Sequence, residues 1–470
     1  MVFSLRALND KSLTRLHRIY DPDPGPPSAP APGKLPPALD PQLRIPDNLP
    51  TTTLPSRQER YQTTPIYSEL ITNVPDIAMS FSDCPFAYGP FAPHWVPKQN
   101  VQDYFSRQRT DNLLALNTAV EDISKLKNER WSLTLRRFDS TLQRDLWWRE
   151  DYDALVLCNG HYSVPYVPHV DGLLDYMERF PGKVMHSKGY RSASAFAGRK
   201  VVVVGNSASG FDITTLLTPA VHSPVYQSRR SRSRWDGDSP PPGVEWKPVI
   251  SKFCAKSGDI VFVDGSIMRA ADVDHVIYCT GYKPSFPYWN SKQNGGPLWD
   301  YQANRLAGSY LHTFFSENPT LGLVGMPRTL TFRSFEYQAI ALARVFAGRE
   351  AKPLPDKAGM RQWQNDRDAS IVGTRKMFHD IPCDNGETLE YFTSLYEIAG
   401  LPGIRGDGKC PPILDSATVW ALQHIKKYPE PEQGSSTRDM KTFMSRQDLD
   451  GVGGWVIVEE ETQKDSLHFI

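Results

Sequence analysis

The chain has 470 residues, 53 of them basic and 53 acidic, with 40% hydrophobic and 11% aromatic content. That size suffices for two or three domains with substantial cores, and a formal net charge of zero offers no field to recruit nucleic acid or an anionic membrane, so small molecules are the expected partners. The six cysteines, Cys84, Cys158, Cys254, Cys279, Cys383 and Cys410, show no C-x-x-C spacing, which argues against a zinc site or a disulfide framework and fits a reducing compartment.

From the N-terminus, residues 1–20 pattern as a short amphipathic helix without the apolar core of a secretory signal. No later run reaches the length of a membrane span, so the chain reads as cytoplasmic. Residues 21–56 carry prolines every few positions, from Pro22 to Pro55; the stretch is expected to support neither helix nor sheet ladder and to run extended or partly disordered. After Pro65, IYSELI reads as a helical stretch before the turn Thr72-Asn73-Val74-Pro75. A second helix is expected near Val101 to Phe105, then strands around Ala119 and over Trp131 to Leu135. Asp153 to Cys158 (DALVLC) reads as a short buried strand closed by Asn159-Gly160.

VVVVGNSASG, residues 201–210, is the most informative stretch. Four β-branched residues run into a glycine turn that opens a helix, which is how a protein holds a dinucleotide. Gly205 permits the tight turn, Gly210 lets the helix pack on the strand, and Asn206, Ser207, Ala208 and Ser209 complete the expected pyrophosphate cradle. Ser207 stands where the strict pattern has its second glycine.

The next strand, Pro224 to Gln227, leads to Ser228, Arg229 and Arg230 about twenty residues after the turn, where such folds read the adenosine ribose. No Asp or Glu stands there, and a guanidinium fork suits a 2′-phosphate, so NADPH is expected over NADH. The bland reading of SRRSRSR, residues 228–234, is a solvated basic loop. Further on, Gly258 to Val263 and Ser266 to Met268 read as a hairpin turned at Asp264-Gly265, and Val273 to Thr280 as a returning strand. Leu321 to Val324 is another buried strand, and Phe335 to Phe346 an amphipathic helix capped at Gly348. Beyond residue 350 the pattern is helical and aromatic, then polar from Pro429.

Upstream of the glycine turn stands Phe180-x-Gly182-x-x-x-His186-x-x-x-Tyr190. This spacing, followed by GNSASG, resembles the fingerprint of the flavin-containing monooxygenases. TNVP at 72–75, FSDCPF at Phe81 to Phe86, CNGHYSVPYVP from Cys158 and YCTGYKP from Tyr278 extend the resemblance, in a form similar to fungal members, over most of residues 60–350. The resemblance implies an α/β fold of two nested Rossmann-like dinucleotide-binding domains, with FAD and NADPH as cofactors. It implies Asn73 against the flavin, and Phe180, Gly182, His186 and Tyr190 shaping the link between domains. Asn159, Gly160, His161, Thr280 and Gly281 would be backbone crossings near the cofactors. Glu336 and Gln338 match the segment whose N-terminus abuts the flavin, with a solvated helix face as the alternative. On residue type alone, Asn73 starts a turn before Pro75, and His186 is a hydrogen-bonded structural histidine. Related ketone-oxidising enzymes carry Trp at the position of Tyr190, so the tyrosine points to oxidation of nitrogen or sulfur.

The family's opening strand, its G-x-G-x-x-G turn for FAD and its Gly-Gly-x-Trp segment have no counterpart here. Between Met1 and Arg60 the only glycines are Gly25 and Gly33. The FAD domain is therefore expected to be incomplete at its N-terminus, and the chain as written to hold FAD weakly or not at all. The expected organisation is a Pro-rich segment 1–56, an FAD-type domain in two parts (57–165 and 281–430), an inserted NADP-binding domain (166–280) and a polar tail (431–470). The expected reaction is NADPH- and O2-dependent oxidation of an amine nitrogen or sulfide sulfur through a flavin C4a-hydroperoxide, with secondary metabolism as one setting. The alternatives are a catalytically impaired or regulatory NADP-binding protein and an NADPH-dependent flavin reductase. No metal site is expected, and the sequence carries no signal for oligomeric state.

Overall fold

The computed structural model describes residues 29–58, 60–61, 63–108, 113–383, 385–401, 414–427 and 456–457. The helix expected over residues 1–20, Cys410 and all of the polar tail except Val456 and Ile457 lie outside them.

Proline is less disruptive near the N-terminus than its frequency implies, which corrects the expectation of neither helix nor ladder. A single helical turn, α1 (Pro36–Leu39), has proline at its first position, where the fixed φ is preorganised and the missing N–H has no partner to lose. Three consecutive threonines form β1 (Thr51–Thr53), which pairs antiparallel with a later strand. IYSELI is not helical: the segment between Pro65 and Pro75 is too short to repay nucleation. It is fastened instead, with Ser68 N–H on the Arg191 carbonyl at 2.8 Å and the Tyr67 hydroxyl on Asp212 at 2.5 Å. Two helices follow, α2 (Asp76–Met79) and α3 (Trp95–Gln108).

Strands β2 (Thr118–Lys125), β3 (Trp131–Asp139) and β4 (Arg144–Tyr152) build an antiparallel sheet ordered β1-β4-β3-β2. A buried charge network clamps the 40–60 segment onto it. Arg136 spans Glu121 at 2.7 Å and Asp145 at 2.8 Å, while Arg60 spans Asp40 at 2.9 Å and Glu121 at 2.6 Å.

After β5 (Leu155–Leu157) and β6 (Val164–Pro165) the chain enters a different sheet. Its elements are α4 (Leu173–Arg179), β7 (Val184–His186), β8 (Val201–Val204), α5 (Ala208–Leu217), β9 (Val225–Ser228) and β10 (Val244–Lys247). A side sheet of β11 (Ile250–Phe253), β12 (Ile260–Phe262) and β13 (Ile267–Met268) includes the expected hairpin at Asp264-Gly265, and β14 (His275–Tyr278) closes the set. The order β10-β9-β8-β14-β7 is parallel throughout. Both faces are covered, so Val201, Val202, Val203, Val276 and Ile277 are all fully buried, as a continuous run of β-branched residues requires.

The chain returns through β15 (Tyr282–Lys283), which pairs antiparallel with β6, so departure and return run side by side. Short strands β16 (Trp299–Asp300), β17 (Arg305–Leu306), β18 (Ser309–Tyr310), β19 (Phe314–Phe315) and β20 (Leu321–Leu323) follow. Because β20 lies parallel to β5, the five-stranded unit is inserted into another α/β unit: one Rossmann-type fold nested in a second. Helices α6 (Thr331–Ala347), α7 (Lys357–Ile371), α8 (Glu387–Ile398) and α9 (Ser416–His424) cover this outer unit. Gly348 caps α6 at φ 62°, as expected, although the helix starts four residues earlier than Phe335. Among the described residues no helix is long and apolar enough to cross a membrane and no group of side chains could hold a metal.

Candidate functional site

The carboxyl end of β8 is where sequence and fold converge. Gly205 has φ +112°, and a Cβ there would sit 2.7 Å from the Cys279 carbonyl oxygen at the end of the neighbouring β14. Gly210 is as constrained, since its Cβ would lie 2.2 Å from the Gly205 carbonyl. Both glycines therefore let the turn and helix α5 press onto the sheet. The first intrahelical bond is Phe211 N–H to the Ser207 carbonyl at 2.8 Å, so the amides of Ala208, Ser209 and Gly210 precede it as helix-start donors. Ser207 occupies the N-cap with no side-chain cap bond, and Ser207 and Ala208 are exposed. This is an electropositive, accessible anion cradle. Helix α5 is anchored from behind, where Asp212 meets Tyr67 and the Lys427 ammonium at 3.2 Å.

Beside the cradle the structure adds a partner that the local sequence does not show. Arg229 follows β9 as anticipated, but its guanidinium stacks 3.3 Å from the centroid of the Trp246 ring and bonds Asp236 at 2.8 Å. The loop after β9 folds back, so an acidic group from further along the chain reaches Arg229. The same Asp236 oxygen accepts from Asn206 Nδ2 at 2.7 Å and from Ser233 N–H at 2.9 Å. Burial alone would raise the Asp236 pKa; the bonds from Ser233, Asn206 and Arg229 outweigh it and hold the carboxyl below its ordinary value. Arg230 is exposed. The only sequence signal for this closure was Trp235-Asp236-Gly237-Asp238 after the arginine run.

The two chain crossings meet at Gly281. Its carbonyl accepts from Tyr166 N–H at 2.9 Å and faces His186 Nε2 at 3.0 Å, and Thr280 Oγ1 donates to the Tyr166 carbonyl. His186 Nδ1 accepts from Lys188 N–H at 3.0 Å, so the proton sits on Nε2, and burial pushes the ring's pKa down to about 3. So held, the neutral ring ties the Gly281 crossing to the end of β7. Tyr190 is fully buried, edge-on to Tyr67 at 5.3 Å and stacked on Phe196 at 5.8 Å. Phe180 packs on Tyr176 at 4.8 Å, and Gly182 turns the chain before β7 with φ +80°. The Asn159 amide is consumed locally, donating to the Ser285 carbonyl at 3.2 Å and accepting from the Tyr288 hydroxyl at 2.9 Å. Gly160 and Gly281, at φ +69° and +78°, have open space where a Cβ would stand.

Next to these glycines lies a cleft lined by His161, Tyr162, Tyr282, Met326, Arg328 and His379. His161 Nδ1 meets the Gly325 carbonyl at 2.9 Å and its buried Nε2 has no partner; burial, then Arg328, lowers its pKa to about 4. Cys158 and Cys279 are not a redox pair but single thiols, each pushed up to about 12 by burial, and no disulfide joins the described cysteines.

Asn73 is exposed in its turn, which Thr72 secures by bonds of 2.8 and 2.9 Å with Ala92. The following loop hangs from α6. Arg333 donates to the Ser80 carbonyl at 3.0 Å, and Glu336 accepts from the Ser82 hydroxyl at 2.6 Å and its N–H at 2.9 Å. Gln338 bridges Thr313 at 2.8 Å and Gly325 N–H at 3.0 Å. Glu336 and Gln338 are buried, which rules out the solvated-face reading.

Comparison with known proteins finds relatives of one family. The flavin-binding monooxygenase-like family pattern matches residues 56–235. The flavin-containing monooxygenase FMO GS-OX3 of Arabidopsis thaliana is 30% identical over 343 residues, 70% of each chain. The flavin-containing monooxygenase iboF of Amanita muscaria is 27% identical over 338 residues, 62% of each chain. Among solved structures, the S-allyl-L-cysteine S-oxygenase of Allium sativum superposes with TM-score 0.60 at 26% identity, covering 72% of this chain and 75% of that one.

Proposed function

The chain belongs to the flavin-containing monooxygenase family, whose members are enzymes, and on that premise we propose that it uses NADPH and O2 to oxidise a nitrogen or sulfur atom of a small molecule. The observation that carries this reading is the Gly205 turn. It is the only described parallel strand end at which a glycine turn opens an α-helix within four residues, and its donors suit a pyrophosphate.

The residues fit the two cofactors unequally. A nicotinamide dinucleotide would be held by the amides of Ala208 to Gly210, with Arg229 and Arg230 near its adenosine end. For FAD, the open space at Gly160 and Gly281 and the exposed Asn73 amide suit the flavin side, while no further strand–glycine–helix cradle for its pyrophosphate occurs among the described residues. Bound flavin supplies the oxygen chemistry. In this reading the chain's own part is positioning. The neutral, locked His186 holds the crossings together, Arg333 and Glu336 fix the loop after Asn73, and the Asn73 amide donates and accepts without titrating.

The second reading is a regulatory NADP-binding protein of the same fold, which the Gly205 cradle by itself would serve. Supplying the purified 470-residue chain with FAD, NADPH, 18O2 and a small sulfide or tertiary amine separates the two. Label in the sulfoxide or N-oxide is expected. NADPH binding without labelled product at saturating FAD would replace the first reading with the second.

A further inference from the structure

Asn206 and Arg229 are two polar side chains at the mouth of the glycine turn, and both point at one atom. Asp236 Oδ2 lies 2.7 Å from Asn206 Nδ2 and 2.8 Å from Arg229 Nη1, with Ser233 N–H at 2.9 Å. Asp236 is 5% exposed, so this is a built anion site occupied by the protein's own carboxylate. The loop that delivers it is pinned on several sides. Asn206 also donates to the Ser231 carbonyl at 2.8 Å, Arg232 Nε donates to the Asp236 carbonyl at 2.9 Å, and Arg375 of the outer unit donates to the Arg232 carbonyl. The Trp246 ring lies against the same guanidinium, its centroid 3.3 Å from Arg229 Cζ.

A ribose 2′-phosphate seeking Arg229 meets a negative charge already on it, whereas a free 2′-hydroxyl meets an acceptor. We propose that Asp236 is a specificity-determining residue that competes with the 2′-phosphate for Arg229 and Asn206 and thereby narrows the preference for NADPH over NADH. This rests on the nucleotide site proposed above and deepens it. It also gives a role to the buried aspartate that this arginine-rich reader carries.

The test is equilibrium binding of NADPH, NADH, 2′,5′-ADP and 5′-ADP to wild type, Asp236→Asn, Asp236→Ala and Arg229→Ala plus Asp236→Ala, with circular dichroism as the fold check. Freeing the guanidinium should raise the 2′,5′-ADP to 5′-ADP affinity ratio, and the NADPH to NADH ratio, by about tenfold in both single variants, and removing Arg229 as well should abolish the gain. Unchanged ratios, or equal loss of all four ligands in a folded variant, would overturn the proposal by reducing Asp236 to a loop strut. Should Asp236→Ala misfold, Asp236→Asn keeps an acceptor for Ser233 and carries the test. Wild type gives an independent readout: its preference for 2′,5′-ADP should stay within about tenfold, and a preference above about a hundredfold would contradict the proposal with no variant needed. A folded wild type that binds none of the four ligands would instead sink the nucleotide site itself.

Discussion

Single residues here are held by geometry that predicts their mutants. Gly205 combines φ +112° with a carbonyl 2.7 Å from any added Cβ, so Gly205→Ala strains the backbone and pushes β8 from β14. A loss of about 1–3 kcal/mol is expected, read as a lower Tm; an unchanged Tm would mean that the turn relaxes freely. The turn is thus structural as well as ligand-facing, and a bulkier Gly205→Val is expected to cost stability in addition to binding. The buried histidines predict a pH dependence. His186 and His312 have folded-state pKa values lowered to about 3, chiefly by burial, from the ordinary value of 6.5. Their contribution is fully present above pH 6.5. As pH falls below it the unfolded chain takes protons that the native state refuses, so stability drops until pH approaches 3, by up to about 1.4 kcal/mol per unit for each group. Urea unfolding at pH 7 and pH 5.5 checks this: wild type should be less stable at pH 5.5, and His186→Gln should flatten the slope. Equal stability at both would refute the buried neutral assignment.

At the scale of elements, the sequence was legible wherever pattern is local. Val201 to Val204, the glycine turn, the hairpin at Asp264-Gly265 and the αL cap at Gly348 all follow from a few adjacent residues. What stayed hidden depends on distant partners. Strand β4 was missed because its Arg144, Asp145, Arg149 and Glu150 look like a polar loop until β3 lies beside them. Asp236 was missed because its bonds to Asn206 and Arg229 form only when the loop folds back, although Ser233 and Arg232 beside it help to hold it there. His312 and His379 form a buried pair at 2.9 Å that no spacing rule announces. IYSELI failed in the opposite direction, its helical pattern overruled by flanking prolines and by tertiary bonds. The charged clamp on the antiparallel sheet is the element-scale prediction. Arg136→Leu leaves the Glu121 and Asp145 carboxylates, each about 98% buried, short of a partner, and should cost about 3–5 kcal/mol in urea unfolding. A loss below about 1 kcal/mol would show that water reaches the network.

For the whole molecule, nesting explains why the two crossings matter. β6 and β15 run side by side, Gly281 accepts from both Tyr166 and His186, and the five-stranded unit reaches the outer one through this seam. The seam is where the chain passes between the two units, and the proposed oxidation needs the Gly205 cradle and the Asn73 loop on one reactant path. The claim on which the rest depends is that the cradle holds NADPH. Ser207→Asp tests it with little disturbance, because Ser207 is exposed at an N-cap, where aspartate supports a helix, yet the new carboxylate would stand against the pyrophosphate. Calorimetric titration of NADPH should give saturable binding at one site per chain in wild type, weakened at least about tenfold in Ser207→Asp at unchanged Tm. Equal affinity in the two proteins, or no saturable binding to folded wild type, would contradict the account.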